Sequence, residues 1–347
     1  MRVNRFTIAT IVGLILAVIV AWLYLGAFGA PQEAEGDIAY MQFTIAEDIG
    51  TGDVISRLSS DGFIKSPRAF RIALWWNGTA SIKPGGYMIA KTIDAWVLAD
   101  IFTKGPALVW VSLPEGYRKE QMANVLAREL GWTDAQEIEW VTKHTALKPD
   151  EIEGVYFGDT YLIPKDDTPA QVADRLRARF NEKFAPLAKE AVKQNIRWPT
   201  LLKIASLVQR EAGGKDDMPI IAGVLWNRLL AKKPMRLGID ATLQYARDSR
   251  DHYGAVPTGA QLTSYSLKGG WWEPVKIEDK KINSPYNTYL FDGLPPHPIA
   301  NPSLDAINAV LFPAKTDCLF YLHSPDKQIH CAKTYEEHKK NIDTYLR

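Results

Sequence analysis

The residue with most chemistry to offer is a glutamate on the apolar side of a helix. Between Pro199 and Glu211, residues Leu201, Ile204, Ala205 and Val208 recur at the spacing of an amphipathic helix. Pro199 suits its first turn and Gly213-Gly214 its end. Glu211 falls three residues after Val208 and seven after Ile204, which puts its carboxylate on the apolar stripe in the last turn. Burial and the negative end of the helix dipole both disfavour the charged form. A raised pKa is what a general acid working near neutral pH requires. Position alone favours a stripe-edge Glu with its head in water, and it is the neighbours that shift the balance.

Those neighbours are polar groups at the ends of successive elements. A second helix is expected after Asp217 as N-cap, patterned by Ile221, Ala222, Leu225 and Leu229 and ending in Asn227-Arg228. The alternation of Met235, Leu237 and Ile239 then predicts a short strand that delivers Asp240, Thr242 and Tyr245. Together they read as a cleft beside Glu211. Asp240 is the nearest second carboxylate. It could activate water, but capping a short helix that begins near Thr242, with Asn227 or Arg228 as partner, is the better reading.

Metal and nucleophile chemistries find no support. The six His show no HExxH or paired CxxC spacing, and no GxSxG elbow occurs. His323, His330 and Cys331 read as ordinary strand residues. Gly50-Thr51-Gly52 lacks the Lys of a phosphate loop. A net charge of +1 over 347 residues with no basic run gives no reason to expect nucleic acid. No cofactor is expected.

The segments ASLVQREAG, VLWNRL and MRLGIDATLQYA resemble the signature of the MltG (YceG-like) endolytic murein transglycosylases. NSPYNTYLFDGLPPHPIANPS from Asn283 and FPAKTDCLFYL from Phe312 agree, in the same order. The resemblance implies lytic cleavage of peptidoglycan glycan strands, with Glu211 at the family's catalytic glutamate. Asn227, Arg228, Asp240, Thr242 and Tyr245 would then contact substrate, and Tyr286, Asn287 and Thr288 would border the glycan groove. Asn and Thr also build turns, so that reading stands beside the groove. Most glycosidases use two carboxylates. Lytic transglycosylases are understood to use one, which protonates the glycosidic oxygen and then serves as base while the muramic 6-hydroxyl attacks the anomeric carbon. The product end is 1,6-anhydro-N-acetylmuramic acid. Two rivals remain: a glycan-binding scaffold that has lost catalysis, which the presence of Glu211 disfavours, and a hydrolase using Glu211 and Asp240. Synthases of the wall are candidate partners.

The elements that must position these groups fall into an α+β chain. Phe6 to Phe28 is long and apolar enough to cross a bilayer, with Arg2 and Arg5 before it and Glu33, Glu35 and Asp37 after it. Read as an uncleaved anchor in the inner (cytoplasmic) membrane, it leaves residues 1–5 in the cytoplasm and sends the rest out. Pro31 disfavours cleavage at the small-residue site before it. A tether at 31–39 follows. Strand, helix, helix and strand signals over 40–106 resemble the family's small LysM-like α/β subdomain, which implies weak glycan binding or a spacer role. The mixed α+β catalytic domain is expected over 107–347. Within it, Glu153 to Tyr161 resembles the family's EGYLFPDTY box, with Gly158 where Pro is usual, a change expected to loosen the turn. Glu115 is read as a turn or subdomain contact. A polar, Gly-rich run with Trp271-Trp272 extends from Tyr245 to about Glu273, and no catalytic role is assigned in it. The two cysteines, Cys318 and Cys331, flank an expected hairpin around Ser324–Lys327. Outside the cytoplasm they could form a disulfide, and the sequence leaves open whether they do.

Overall fold

In the computed structural model, the residues described are 5–33, 36–145, 153–233, 235–254 and 270–347. Most of the Gly-rich run after Tyr253 therefore lies outside the described residues. The chain divides into two compact units, 1–110 with 162–165, and 111–161 with 166–347.

The first unit begins with α1 (Arg5–Phe28), followed by β1 (Met41–Ile45), α2 (Thr51–Ser60), α3 (Pro67–Trp76), β2 (Gly85–Ile89) and α4 (Ala95–Lys104). β3 (Leu108–Ser112) and β4 (Thr160–Pro164) complete a sheet of order β1-β2-β3-β4. The strand-helix-helix-strand order expected over 40–106 is present. Helix starts are chemically marked: Ser66 Oγ accepts from Ala69 N with Pro67 at the first position of α3, and Asp94 Oδ1 accepts from Trp96 N and Val97 N at the start of α4. β1 and β2 are antiparallel, with Phe43 opposite Tyr87. Phe43 and Ile45, Val54 and Leu58, Phe70 and Ala73, Tyr87 and Ile89, and Leu98 and Phe102 close a core contributed by β1, α2, α3, β2 and α4.

The second unit is mainly helical. α5 (Lys119–Leu130) and α6 (Asp134–Glu139) are followed by a wide π-turn over Trp140–His144. Then come α7 (Pro169–Lys193), α8 (Trp198–Glu211), α9 (Met218–Leu229), α10 (Asp240–Tyr253) and α11 (Leu304–Leu311). A hairpin of β5 (Phe320–His323) and β6 (Ile329–Ala332) and the helix α12 (Tyr335–Tyr345) end the chain. α8, α9 and α11 pack on one another, burying Leu201, Ile204, Ala205, Val208, Ile221, Leu225, Ile307 and Val310. Cys318 and Cys331 form a disulfide with Cα atoms 5.8 Å apart.

Two expectations are corrected. Residues 235–239 form no strand, because the backbone they meet is irregular: Gly238 N donates to Thr288 O at 3.0 Å and Ile239 N to Thr288 Oγ1 at 2.9 Å. Gly238 adopts φ 56°, a left-handed value that suits glycine. Nor is the helix after Ile239 short, since α10 begins at Asp240 and runs 14 residues.

Gly158 also behaves differently from expectation. A Cβ there would lie 2.8 Å from Glu115 N and 2.9 Å from Glu115 Cα. Glycine at this position lets the Leu113–Glu115 backbone close over the turn, which it tightens rather than loosens. Glu115 itself is exposed, as a turn residue should be.

Candidate active site

The last turn of α8 presents Glu211 to the first turn of α10 and to β5. Tyr321 OH donates to Glu211 Oε2 at 2.8 Å. The backbone N–H of Ala241, second residue of α10, also donates to the carboxylate. Glu211 thus ends one helix and occupies the N-terminal anion position of another, so the two dipoles act on it in opposite senses. Burial pushes its pKa up, the Tyr321 bond pulls it down, the neighbouring charge of Asp240 raises it, and the balance is upward. Part of the residue stays open to solvent, so a proton can be passed outward.

Asp240 stands beside it at the first position of α10, exposed, its Oδ1 accepting from Tyr289 OH at 2.6 Å. Its partner is this tyrosine, not Asn227 or Arg228 as expected. Burial and the Asp240 bond both keep the Tyr289 phenol protonated far above its ordinary range.

Asn227 and Arg228 instead hold the backbone around the site. Asn227 Nδ2 donates to Thr316 O at 2.7 Å and Cys318 O at 3.0 Å. Arg228 donates to Leu319 O at 2.6 Å and Leu237 O at 2.5 Å, clamping the approach to β5 and the 235–239 segment together. Thr242 Oγ1 donates to Ile239 O at 2.6 Å and pairs with Thr288 Oγ1 at 2.9 Å. Asn287 Nδ2 donates to Lys280 O and Ile282 O, and its Oδ1 accepts from Tyr289 N. Tyr245 and Tyr286 lie ring against ring, 4.7 Å between centroids. Thr242, Tyr245, Tyr286, Asn287 and Thr288 are all buried. Their placement corrects the picture of a polar cleft lining: side chains without surface have nothing to show a glycan. In this arrangement they fix where Asp240, Tyr289 and Glu211 stand.

Sequence reasoning passed over Tyr321, Tyr289 and the His323–Asp217 pair. Asp217 does not cap α9 through its side chain. It accepts from Gly213 N at 3.2 Å and meets His323 Nε2 at 3.1 Å, so the chain just after Glu211 is tied to β5. The signal was period-two alternation: Tyr321 and His323 share one face of β5, and both turn to the end of α8.

Trp271 and Trp272, left without a role, close over a cationic pair. Arg210 lies 4.0 Å from the Trp272 ring and Arg118 4.4 Å from the Trp271 ring. Trp272 Nε1 donates to Gln121 Oε1 at 2.8 Å and Trp272 N to Asp248 Oδ2 at 2.7 Å.

The chain belongs to the YceG-like family, whose model matches residues 43–344. It is 28% identical over 352 residues to a Bacillus subtilis protein named endolytic murein transglycosylase, covering 94% of this chain and 90% of that one. A Streptococcus pneumoniae protein of the same name is 26% identical over 340 residues, which cover 88% of this chain and 58% of that longer protein. A crystal structure of a YceG-like protein from Listeria monocytogenes superposes with a TM-score of 0.54 at 23% identity, over 88% of this chain and 99% of that one. The likeness to that structure shows the shared fold.

Proposed function

We infer that this chain is a lytic transglycosylase that cleaves the MurNAc–GlcNAc bond of peptidoglycan strands, with Glu211 as acid and then base. The observation that carries the reading is Glu211 itself: a carboxyl whose pKa is raised by burial, oriented by Tyr321 and the start of α10, at a point open to solvent. A protonated Glu211 gives its proton to the glycosidic oxygen as that bond breaks. The resulting carboxylate takes the proton of the muramic 6-hydroxyl as its oxygen attacks the anomeric carbon. Glu211 ends protonated again, no water is consumed, and the new end is 1,6-anhydro-N-acetylmuramic acid. Endolytic cutting follows the relatives' name, and limiting the length of nascent strands and working alongside the synthases of the wall are part of the proposal. So are the placement of Glu211's unit outside the inner membrane, single-pass anchoring by α1, and the LysM-like nature of 40–106.

General acid–base help is typically about 100- to 10,000-fold, and here one residue supplies both halves. Glu211→Gln should therefore bring cleavage of purified glycan strands to background at an unchanged or slightly raised melting temperature. Asp240 keeps a second reading in play, since it is exposed beside Glu211 and could serve a water-using hydrolase. Asp240→Asn should harm less and still leave anhydro ends by mass spectrometry. Reducing ends would establish the hydrolase instead, and Glu211→Gln retaining most cleavage while Asp240→Asn abolishes it would overturn the assignment of Glu211.

A further inference from the structure

α3 carries an outward face that its own unit does not use. Ala69, Phe70, Ala73 and Leu74 enter the core, while Arg68, Arg71, Ile72, Trp75 and Trp76 point to solvent. Ile72 is 50% exposed and each of the two tryptophans 73%. Two indoles and an isoleucine with flanking arginines, one helical turn apart, are what a helix lying at a lipid–water interface presents. Neither arginine is drawn into an ion pair among the described residues.

This face is continuous with the end of α1. Tyr24 stacks on Phe28 at 5.0 Å, and Phe28, the last residue of α1, stacks on Trp96 at 5.2 Å with the rings 10° from parallel. Trp96 meets Trp76 edge to face at 6.4 Å, and Trp76 meets Trp75 at 6.5 Å. Val97, 46% exposed, extends the apolar surface beside Trp96. Gln32 N donates to Lys91 O at 3.1 Å, so the chain leaving α1 is pinned to the same unit. The run of rings thus leads directly from the last turn of an apolar 19-residue span, Thr10–Phe28, to the exposed tryptophans.

We propose that the Arg68–Ile72–Trp75–Trp76 face of α3 rests in the surface of the bilayer that α1 crosses. The proposal rests on reading α1 as membrane-crossing. Its occupant is a lipid surface, with the arginines at anionic headgroups and the indoles at the headgroup–acyl boundary. Aromatic faces also stack on sugars, but a glycan site would not need to adjoin a membrane span or carry two cations on its rim. The consequence is that the first unit is held down on the membrane at a second point, not swung freely from the tether.

The test uses the full chain in nanodiscs of phosphatidylethanolamine and phosphatidylglycerol, with an environment-sensitive NBD probe on Ile72→Cys, labelled without reductant so that Cys318–Cys331 stays closed. Co-elution with the disc, blue-shifted emission, and strongest quenching by a nitroxide placed about 5–10 Å below the headgroups are expected. Trp75→Ser with Trp76→Ser should return the emission to its value in water while co-elution persists. A water-like probe in a chain that still co-elutes overturns the proposal and leaves the reading of α1 intact. A probe shielded only when soluble glycan strands are added also overturns it, and assigns the face to sugar. Failure to co-elute overturns the reading of α1 and the proposal with it.

Discussion

Tyr321 works against the larger effect of burial in setting how Glu211 divides its time between acid and carboxylate. Its hydroxyl stabilises the charged form, and burial opposes it. Hydrogen bonds to charged groups contribute about 1.5–3 kcal/mol, so Tyr321→Phe should slow cleavage by roughly 10- to 100-fold. The sign of the pH effect follows from the same bond. Without the donor the carboxylate is less stable, the Glu211 pKa rises further, and the alkaline limb of the rate profile moves to higher pH. A lower rate with an unmoved limb would mean that Tyr321 only fills space. At this scale the sequence was informative where chemistry follows from position along one element. Glu211 at the end of an apolar stripe was legible because three residues of spacing suffice to place it. Tyr321 and Tyr289 were not, because each acts on a residue at least 49 positions away and only the fold brings them together.

The least legible element was α10. DATLQYARDSRDHY is polar on every side, and polar residues read as a loop. The fold buries Arg247, Asp248, Ser249 and His252 all the same, since Arg247 meets Asp248 and Asp279 at 2.9 Å each and Ser249 accepts from Arg118 at 2.8 Å. Partners supplied from other elements defeat a hydrophobic pattern. The same holds at the start of α5, where Arg118, Lys119 and Glu120 are buried together with Glu153 of the EGYLFPDTY-like box. Glu153 Oε1 accepts from Lys119 N and Asn301 Nδ2, while Oε2 is buried without a partner among the described residues. Burial, helped by the charge of Glu120, pushes the Glu153 pKa up to about 8 from 4.5. The folded chain therefore keeps a proton that the unfolded chain releases. Stability from this group is whole below the ordinary carboxyl range and is lost as pH rises toward about 8. At about 1.4 kcal/mol per pKa unit, the loss is on the order of a few kcal/mol. Glu153→Gln mimics the neutral acid, so its melting temperature should match the parent near about pH 4 and decline less between pH 4.5 and about 8. Parallel pH curves for the two proteins would show Glu153 ionised throughout. The hairpin offers a simpler test. Closing 13 residues of separation contributes on the order of 3 kcal/mol by chain entropy, and Asn227 reads the backbone at Cys318. Cys318→Ser with Cys331→Ser should lower both the melting temperature and the cleavage rate, because Tyr321 rides on β5. Two free thiols titrating in unreduced, denatured protein would remove the basis for it.

For the molecule as a whole, the proposed anchor α1 should set location and add almost nothing to folding. From Thr10 to Gly26 its residues are exposed, and among its described side chains only Phe28 near its end packs against the core of the first unit. An apolar helix with no protein to cover it is explained by lipid. The alternation of strands and helices in 40–106 needed no knowledge of the anchor, because each of those elements buries its own stripe within the unit. A chain lacking residues 1–27 should therefore fold, with a melting temperature close to that of the full chain, since Phe28 and its stack on Trp96 are kept. It should cut purified, soluble glycan strands at the full chain's rate, because Glu211, Tyr321 and Asp240 are positioned by partners within the second unit. It should not remain with membranes through alkaline extraction, whereas the full chain should. A reporter fused after Arg347 should be active only outside the cytoplasm in the full chain. If the mature full chain instead began near Pro31, export would stand and anchoring would fall, and the shortened chain would fractionate no differently from its parent.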